Sequence, residues 1–308
     1  MSAFVTRYFV YDTETTSNDV TKDDIISLGG VLCTYDPCDR KTKCGVFSKI
    51  DEFHSYVSTK KTINAQAQAV HHITEDKLYN QPTFPEVIET LKIFLQQYQP
   101  ERNARLIIVA HNGSKFDNII MYANFVQHRM DFEGFLKSCK VYGFIDSLKY
   151  FKVLLKGCQY SEQPIDSNTG RVSLALGHCY KSFCKAELEG AHNALMDSRG
   201  LYDILNSDCI SRKINLNNLF KNTVSREKEL KWIKSTVGVA FAAKEEQTRK
   251  EQLGTSTDVV KSELRTDPIF EQESPQSSHK FCLNCMSFWK KDEKHEKCEI
   301  TQSLSRTT

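Results

Sequence analysis

Apolar and polar positions along this chain repeat with two different periods, and the switch between them marks out the elements. Residues 4–12 (Phe4-Val5-Thr6-Arg7-Tyr8-Phe9-Val10-Tyr11-Asp12) are rich in β-branched and aromatic side chains and predict a strand. Residues 25–35 and 44–57 predict further strands, with Cys38 to Lys43 as the intervening turn. The chain therefore opens as an antiparallel meander rather than as a strand–helix–strand unit. After Pro85 the spacing becomes helical, with Val87, Leu91, Phe94 and Leu95 on one stripe. Leu106 to Ala110 predicts a short buried strand, followed by a helix from about Asn118 to Gln127, and Phe144-Ile145-Asp146 predicts another strand. Helices near 147–156, 173–188 and 192–206 complete the unit. Strands first, then helix and strand in alternation, imply an α/β domain with a mixed sheet flanked by helices.

From about residue 207 the pattern changes. Residues 224–243 predict one amphipathic helix with Leu230, Ile233, Val237 and Phe241 along one face. Between 244 and 280 the only large apolar residues are Leu253, Val259, Val260, Leu264, Ile269 and Phe270, too few to offset ordering entropy, so this stretch is expected to be a flexible linker. The expected organisation is an α/β domain over 1–210, a helical extension over 211–243, the linker over 244–280 and a small Cys/His tail over 281–300. The formal charge of +2 excludes a polybasic coat, so any phosphate contact must come from a local patch. The 11 cysteines form no disulfide-scaffold pattern and suit a reducing compartment. Arg7 and Asp12 interrupt the apolar N-terminus before a secretory leader can form, and no apolar run reaches the roughly 20 residues of a membrane helix. The expectation is an intracellular protein of the nucleus or cytosol with no membrane partner.

The chemistry lies in three short blocks: Asp12-Thr13-Glu14, Asn112 to Asp117, and His192-Asn193-Ala194-Leu195-Met196-Asp197. Phosphodiester hydrolysis needs an activated water, charge neutralisation at phosphorus and a stabilised leaving alkoxide. Two divalent ions roughly 3.5–4 Å apart can supply the last two and orient the first. Hard oxygen ligands suit two Mg²⁺ or Mn²⁺ ions, which makes Asp12, Glu14, Asp117 and Asp197 the candidate metal ligands. Asp12 and Glu14, two apart on a strand, point to the same sheet face. His192, five residues before Asp197, would lie about 140° away on a common helix, so it is the candidate general base beside the metal rather than a stacked ligand. Thr13, Thr15 and Thr16 of the first block, with Asn112 and Phe116 of the second, are the candidate substrate-binding residues. Asn112 either orients its turn or contacts substrate, and Phe116 either packs in the core or stacks on a base. Lys149, Lys152 and Lys156 share a helical face, expected to be a solvated one.

Asp12-x-Glu14, Asn112-x-x-x-Phe116-Asp117 and His192-x-Ala194-x-x-Asp197 resemble the three exonuclease motifs of the DEDD superfamily, in its histidine-containing branch. The stretch Val109 to Asp117 is particularly similar to the three-prime repair exonucleases, and Val70-His71-His72-Ile73-Thr74 and Asp146-Ser147-Leu148 fall at fitting positions. The resemblance covers about residues 5–206. It implies a ribonuclease H-like, five-stranded mixed sheet, 3′→5′ release of mononucleotides, and a homodimer. Two departures stand out: Ser17-Asn18 follow Thr16 where relatives often have Gly-Leu, and His72 stands where relatives tend to have glycine.

The expected substrate is a DNA 3′ end, single-stranded or frayed. RNA trimming on the same scaffold, or a nucleic-acid adaptor with a vestigial centre, are the alternatives. Repair, immune silencing, viral genome processing and proofreading are all compatible with such an activity. The tail spacing Cys282-x2-Cys285-x9-His295-x2-Cys298 offers four ligands for a structural Zn²⁺, with spare thiols on an unstructured tail as the alternative.

Overall fold

A computed structural model describes residues 4–37, 45–159, 162–238 and the backbone of 279–282 and 287–290. The opening meander is β1 (Val5–Thr15), β2 (Ile25–Asp36) and β3 (Val46–Tyr56). Two short helices follow, α1 (Ala65–His71) and α2 (Glu75–Leu78), then α3 (Phe84–Gln97). The alternating half comprises β4 (Ala104–Ala110), α4 (Asp117–Gln127), α5 (Phe132–Ser138), β5 (Val141–Asp146) and α6 (Ser147–Leu154). After it come a small hairpin of β6 (Ile165–Asp166) and β7 (Arg171–Val172), then α7 (Leu176–Cys184) and α8 (Ala194–Asn206). The unit closes with α9 (Asp208–Ser211), α10 (Leu216–Asn222), β8 (Val224–Ser225) and a helix, α11, over 226–238.

The sheet order is β3-β2-β1-β4-β5-β8, antiparallel across β3-β2-β1 and parallel across β1-β4-β5. The expected five strands are present. A sixth, the two-residue β8, pairs antiparallel with β5 at Gly143 and Phe144. It begins the stretch expected to be one helix from residue 224, and the pairing on β5 delays that helix to 226. Period-two alternation along β1 splits the core into two layers. Phe9 and Tyr11 join α3, α4, α5 and Leu230 of α11 on one face, whereas Tyr8 and Val10 join α6 to α10 on the other.

Several helix starts carry their own signals. Thr83 and Glu86 form a capping box and Pro85 sits inside the first turn of α3, where its missing N–H costs nothing. Asn64 and Thr74 cap α1 and α2, two helices too short for a hydrophobic period to reveal. The first of them ends at His72 in the left-handed conformation (φ 56°), the position where a glycine is sterically easiest. The polar stretch 157–172 holds the β6–β7 hairpin. No helix among the described residues is long and apolar enough to cross a membrane.

The chain divides into two compact units, Met1–Arg249 and Lys250–Thr308. Within the second, β9 (His279–Cys282) and β10 (Ser287–Lys290) pair antiparallel. Of the four candidate zinc ligands, Cys285, His295 and Cys298 lie outside the described residues, and Cys282 is described only as backbone. The expected linker over 244–280 falls almost wholly outside them as well.

Candidate active site

Pairing between β1 and β4 ends at Val10 and Val109, while β1 runs on to Thr15. Asp12 and Glu14 therefore stand just beyond the carboxyl end of the parallel pair, where such sheets open a crevice. Alternation turns both toward the face that α8 covers. Asp197, in the first turn of α8, meets them there: one oxygen from each of Asp12, Glu14 and Asp197 lies within 4.8 Å of the others.

The approach of α8 depends on Gly29. This residue pairs with Asp12 across the sheet, and a Cβ on it would collide with the backbone of Ala194 and Leu195. Ser198 fixes the contact, its Oγ donating to the Gly29 carbonyl at 3.0 Å. A glycine inside a strand is a sign of such close backbone contact, and it is the signal by which Gly29 could have been singled out.

Asp117 reaches the crevice from the other face. It is the first residue of α4, whose Ile120, Met121 and Phe125 belong to the opposite core layer. Thr13, one position out of phase with Asp12, points toward that layer, and its Oγ1 donates to Asp117 Oδ1 at 2.8 Å. The two core layers thus each contribute a helix to the same end of the sheet.

His192 is placed differently from the sequence expectation. Asn193 caps α8, its Oδ1 accepting from Leu195 N and Met196 N at 3.2 Å, so the helix starts at Ala194 and His192 precedes it in the loop. His192 and Asp197 therefore share no helix, and no helical angle relates them. Instead His192 adopts a left-handed backbone (φ 63°), donates its N–H to Asp197 Oδ2 at 2.9 Å and exposes its side chain.

Thr13 is buried, and its hydroxyl is engaged with Asp117. Thr15 and Thr16 are buried too and close the turn after β1: Thr15 Oγ1 donates to the Ser17 carbonyl at 2.5 Å, and Thr16 Oγ1 accepts from Asp24 N at 3.1 Å. Asn112, left-handed at φ 61°, donates its N–H to Asp146 Oδ1 at 3.1 Å. Phe116 is half-buried and belongs to neither core layer. Of the three lysines expected to share a face, Lys149 donates to Ser114 Oγ in this same loop, and Lys156 lies past the end of α6.

The four acids share one electrostatic feature. Burial pushes each above the usual carboxylate range: Asp12 well above it, Glu14 to about 8, Asp117 to about 7 and Asp197 to about 6. After burial, the largest cause at Asp12 is the charge of Asp117, followed by those of Glu14 and Asp197. Thr13 opposes the rise at Asp117, and His192, by its charge and its backbone N–H, opposes it at Asp197. Among the described residues no lysine or arginine forms an ion pair with any of the four. Clustered anionic oxygens without a counter-cation fit hard divalent ions: Asp12, Glu14 and Asp197 could hold one, and Asp117 beside Asp12 could help hold a second.

Behind the crevice, Tyr11 donates to Asn118 Oδ1 and Asn118 Nδ2 donates to Glu229 Oε1, both at 2.8 Å, tying α11 to the residue after Asp117. Nothing in the local pattern around Glu229 signals this partner, since it is on average a helix-surface residue type.

A mixed sheet that gathers four carboxylates at one strand end, two buried and two half-buried, is the frame of a metal-dependent nuclease. The exonuclease family model called RNase T matches residues 9–205, well over half of the chain, so the protein belongs to that family of exonucleases, which uses divalent metals. The DNA polymerase III subunit epsilon of Treponema pallidum (strain Nichols) is 29% identical over 107 residues, 35% of this chain and 41% of that relative's length. E. coli exonuclease I, solved in complex with a dT13 oligonucleotide, has a similar fold: TM-score 0.51, 16% identity, covering 70% of this chain and 43% of that one. The nuclease domain of 3′hExo, a DEDDh family member bound to rAMP, is similar with TM-score 0.49 and 15% identity over 68% of this chain and 97% of that one.

Proposed function

We propose that the protein removes mononucleotides from single-stranded or frayed DNA 3′ ends, with Asp12, Glu14, Asp117 and Asp197 holding two Mg²⁺ ions and His192 serving as general base. The observation that carries this reading is the convergence of Asp12, Glu14 and Asp197 from two distant segments to within 4.8 Å. When bound, the ions supply charge neutralisation at the scissile phosphate and at the leaving oxygen.

The remaining work falls to side chains. His192, exposed and tied through its backbone to Asp197, takes the proton of the attacking water as its oxygen bonds to phosphorus. The bond from phosphorus to the 3′ oxygen of the preceding nucleotide breaks, and that oxygen is protonated. The products are a 5′-mononucleotide and a chain one unit shorter. Thr13 keeps Asp117 oriented, and the His192 backbone N–H does the same for Asp197. DNA is favoured over RNA by the likeness to a DNA polymerase subunit.

Labelled DNA and RNA oligonucleotides of one sequence, digested side by side with Mg²⁺, Mn²⁺ or EDTA, test the reading. DNA should be shortened from its 3′ end to 5′-mononucleotides, more slowly if RNA, and not at all in EDTA. Asp197→Ala or His192→Ala should lower turnover by about 10²–10⁴-fold with the fold intact. Wild-type rates in a folded Asp197→Ala protein would rule the centre out.

A further inference from the structure

Trp232 on α11 is 51% exposed, and yet its ring is fixed: Nε1 donates to the carbonyl of Ser114 at 3.0 Å. Single exposed apolar residues are ordinary on protein surfaces, so exposure alone says little. Its attachment point is what makes this one informative. Ser114 lies in the loop between β4 and α4 that delivers Asp117, and its hydroxyl also accepts from Lys149 and donates to Asp146 Oδ2 at 2.5 Å. The indole is therefore tied to the loop that delivers Asp117, and α11 is held against α4 beside it. Ile233 and Val237 are buried against Ile119 of α4, and Glu229 accepts from Asn118.

The charge around the ring suits a polyanion. Lys228 stands one helical turn before Trp232, Lys231 is its neighbour, and Lys115 follows Ser114; all three are exposed. None of them makes an ion pair among the described residues, whereas the nearby acids are engaged, Glu133 with Lys137 and Lys234, and Glu227 with Arg226. On a chain with a formal charge of only +2, this is a local cationic patch centred on an aromatic face. Single-stranded nucleic acid is gripped by that combination, with bases stacking on a ring while lysines neutralise the backbone.

We propose that Trp232 is a substrate-positioning residue, a stacking platform for a nucleobase of the strand leading into the crevice, with Lys115, Lys228 and Lys231 holding the adjoining phosphates. The platform lies in a helix beyond residues 9–205, the stretch that the exonuclease family model matches. The proposal rests on the exonuclease reading of that centre.

The test compares a labelled oligo(dT) with the p-nitrophenyl ester of thymidine 5′-monophosphate, which has no strand to reach Trp232. For Trp232→Ala, KM for the oligonucleotide should rise by about 5- to 100-fold with kcat little changed, as loss of one stacked base implies. The small ester should be cleaved as by wild type, and Trp232→Phe should recover most of the affinity. Unchanged KM for the oligonucleotide in folded Trp232→Ala, or equal losses on both substrates, would overturn the platform. The chain's other tryptophan is Trp289, so full-length Trp289→Phe protein reports Trp232 alone. In EDTA its emission should be quenched by oligo(dT), with a salt dependence weakened in Lys228→Ala/Lys231→Ala; absence of quenching would also overturn the proposal, even if Trp232→Ala failed to fold. Wild-type protein inert toward both substrates would sink the exonuclease reading instead, leaving the quenching result to decide the stacking.

Discussion

Ionised together, Glu14 and its neighbours are held in the fold at a cost that protonation or a bound cation relieves. In the unfolded chain a glutamate titrates near 4.5, whereas in the crevice Glu14 is pushed up to about 8 by burial and by the charges of Asp197 and Asp117. Between those values the native state keeps a proton that the unfolded chain has released, so metal-free stability falls as pH rises through that window. A divalent ion displaces those protons and removes the repulsion. The rise in Tm on adding Mg²⁺ or Mn²⁺ to EDTA-treated protein should accordingly be larger at pH 8 than at pH 6, where protons compete. Equal shifts at both values, read by differential scanning calorimetry, would disconnect the cluster from metal binding. Thr13 acts on the same group from outside the cluster. Thr13→Val keeps the shape of the side chain but leaves Asp117 without its 2.8 Å donor, and should cost about 10- to 100-fold in metal affinity or turnover. A metal titration of turnover matching wild type would show that Asp117 needs no such support.

Among the elements, the placement of α8 against β2 decides whether the site exists. Its first turn carries Asp197 and rests where Gly29 has no side chain. The obstacle a methyl group would meet there is backbone, which cannot swing aside as a flexible side chain would. Gly29→Ala should therefore lift the start of α8, lowering turnover by about tenfold or more and Tm by several degrees. Activity and melting temperature equal to wild type would mean that α8 is placed by other contacts. The helix α11 is anchored differently: Ile233 and Val237 are each almost fully buried, worth roughly 1.5–3 kcal/mol apiece, which is ample to dock a helix of this length on α4.

At the scale of the whole chain, the catalytic centre, the two core layers and α11 all lie within the unit Met1–Arg249. A protein ending at Arg249 should fold and retain 3′→5′ activity within a few-fold of the full chain on short oligonucleotides. Loss of cooperative melting on truncation would show that Lys250–Thr308 completes the fold. The antiparallel meander followed by a parallel half has a general consequence for function. Only the parallel strands end together at one edge, and the longest of them overshoots its neighbour by enough residues to carry two carboxylates past it.

The chain's own periodicities laid down the long strands, the principal helices and the phase of β1 that sets Asp12 and Glu14 on one face. These are local properties, repeating every two or every 3.6 residues, and they are legible without any partner. The short helices α1, α2, α5, α9 and α10 escape the pattern because a few residues cannot establish a period. The start of α8 lies two residues later than hydrophobic spacing implies, because an asparagine cap sets it. Tertiary structure alone decided that Asp117 arrives from the opposite core layer, that Gly29 admits α8, and that α11 brings Glu229 to Asn118 and Trp232 to the carbonyl of Ser114. The reason is physical: a sequence pattern records which side of an element avoids water, but the identity of what covers that side comes from residues a hundred or more positions away.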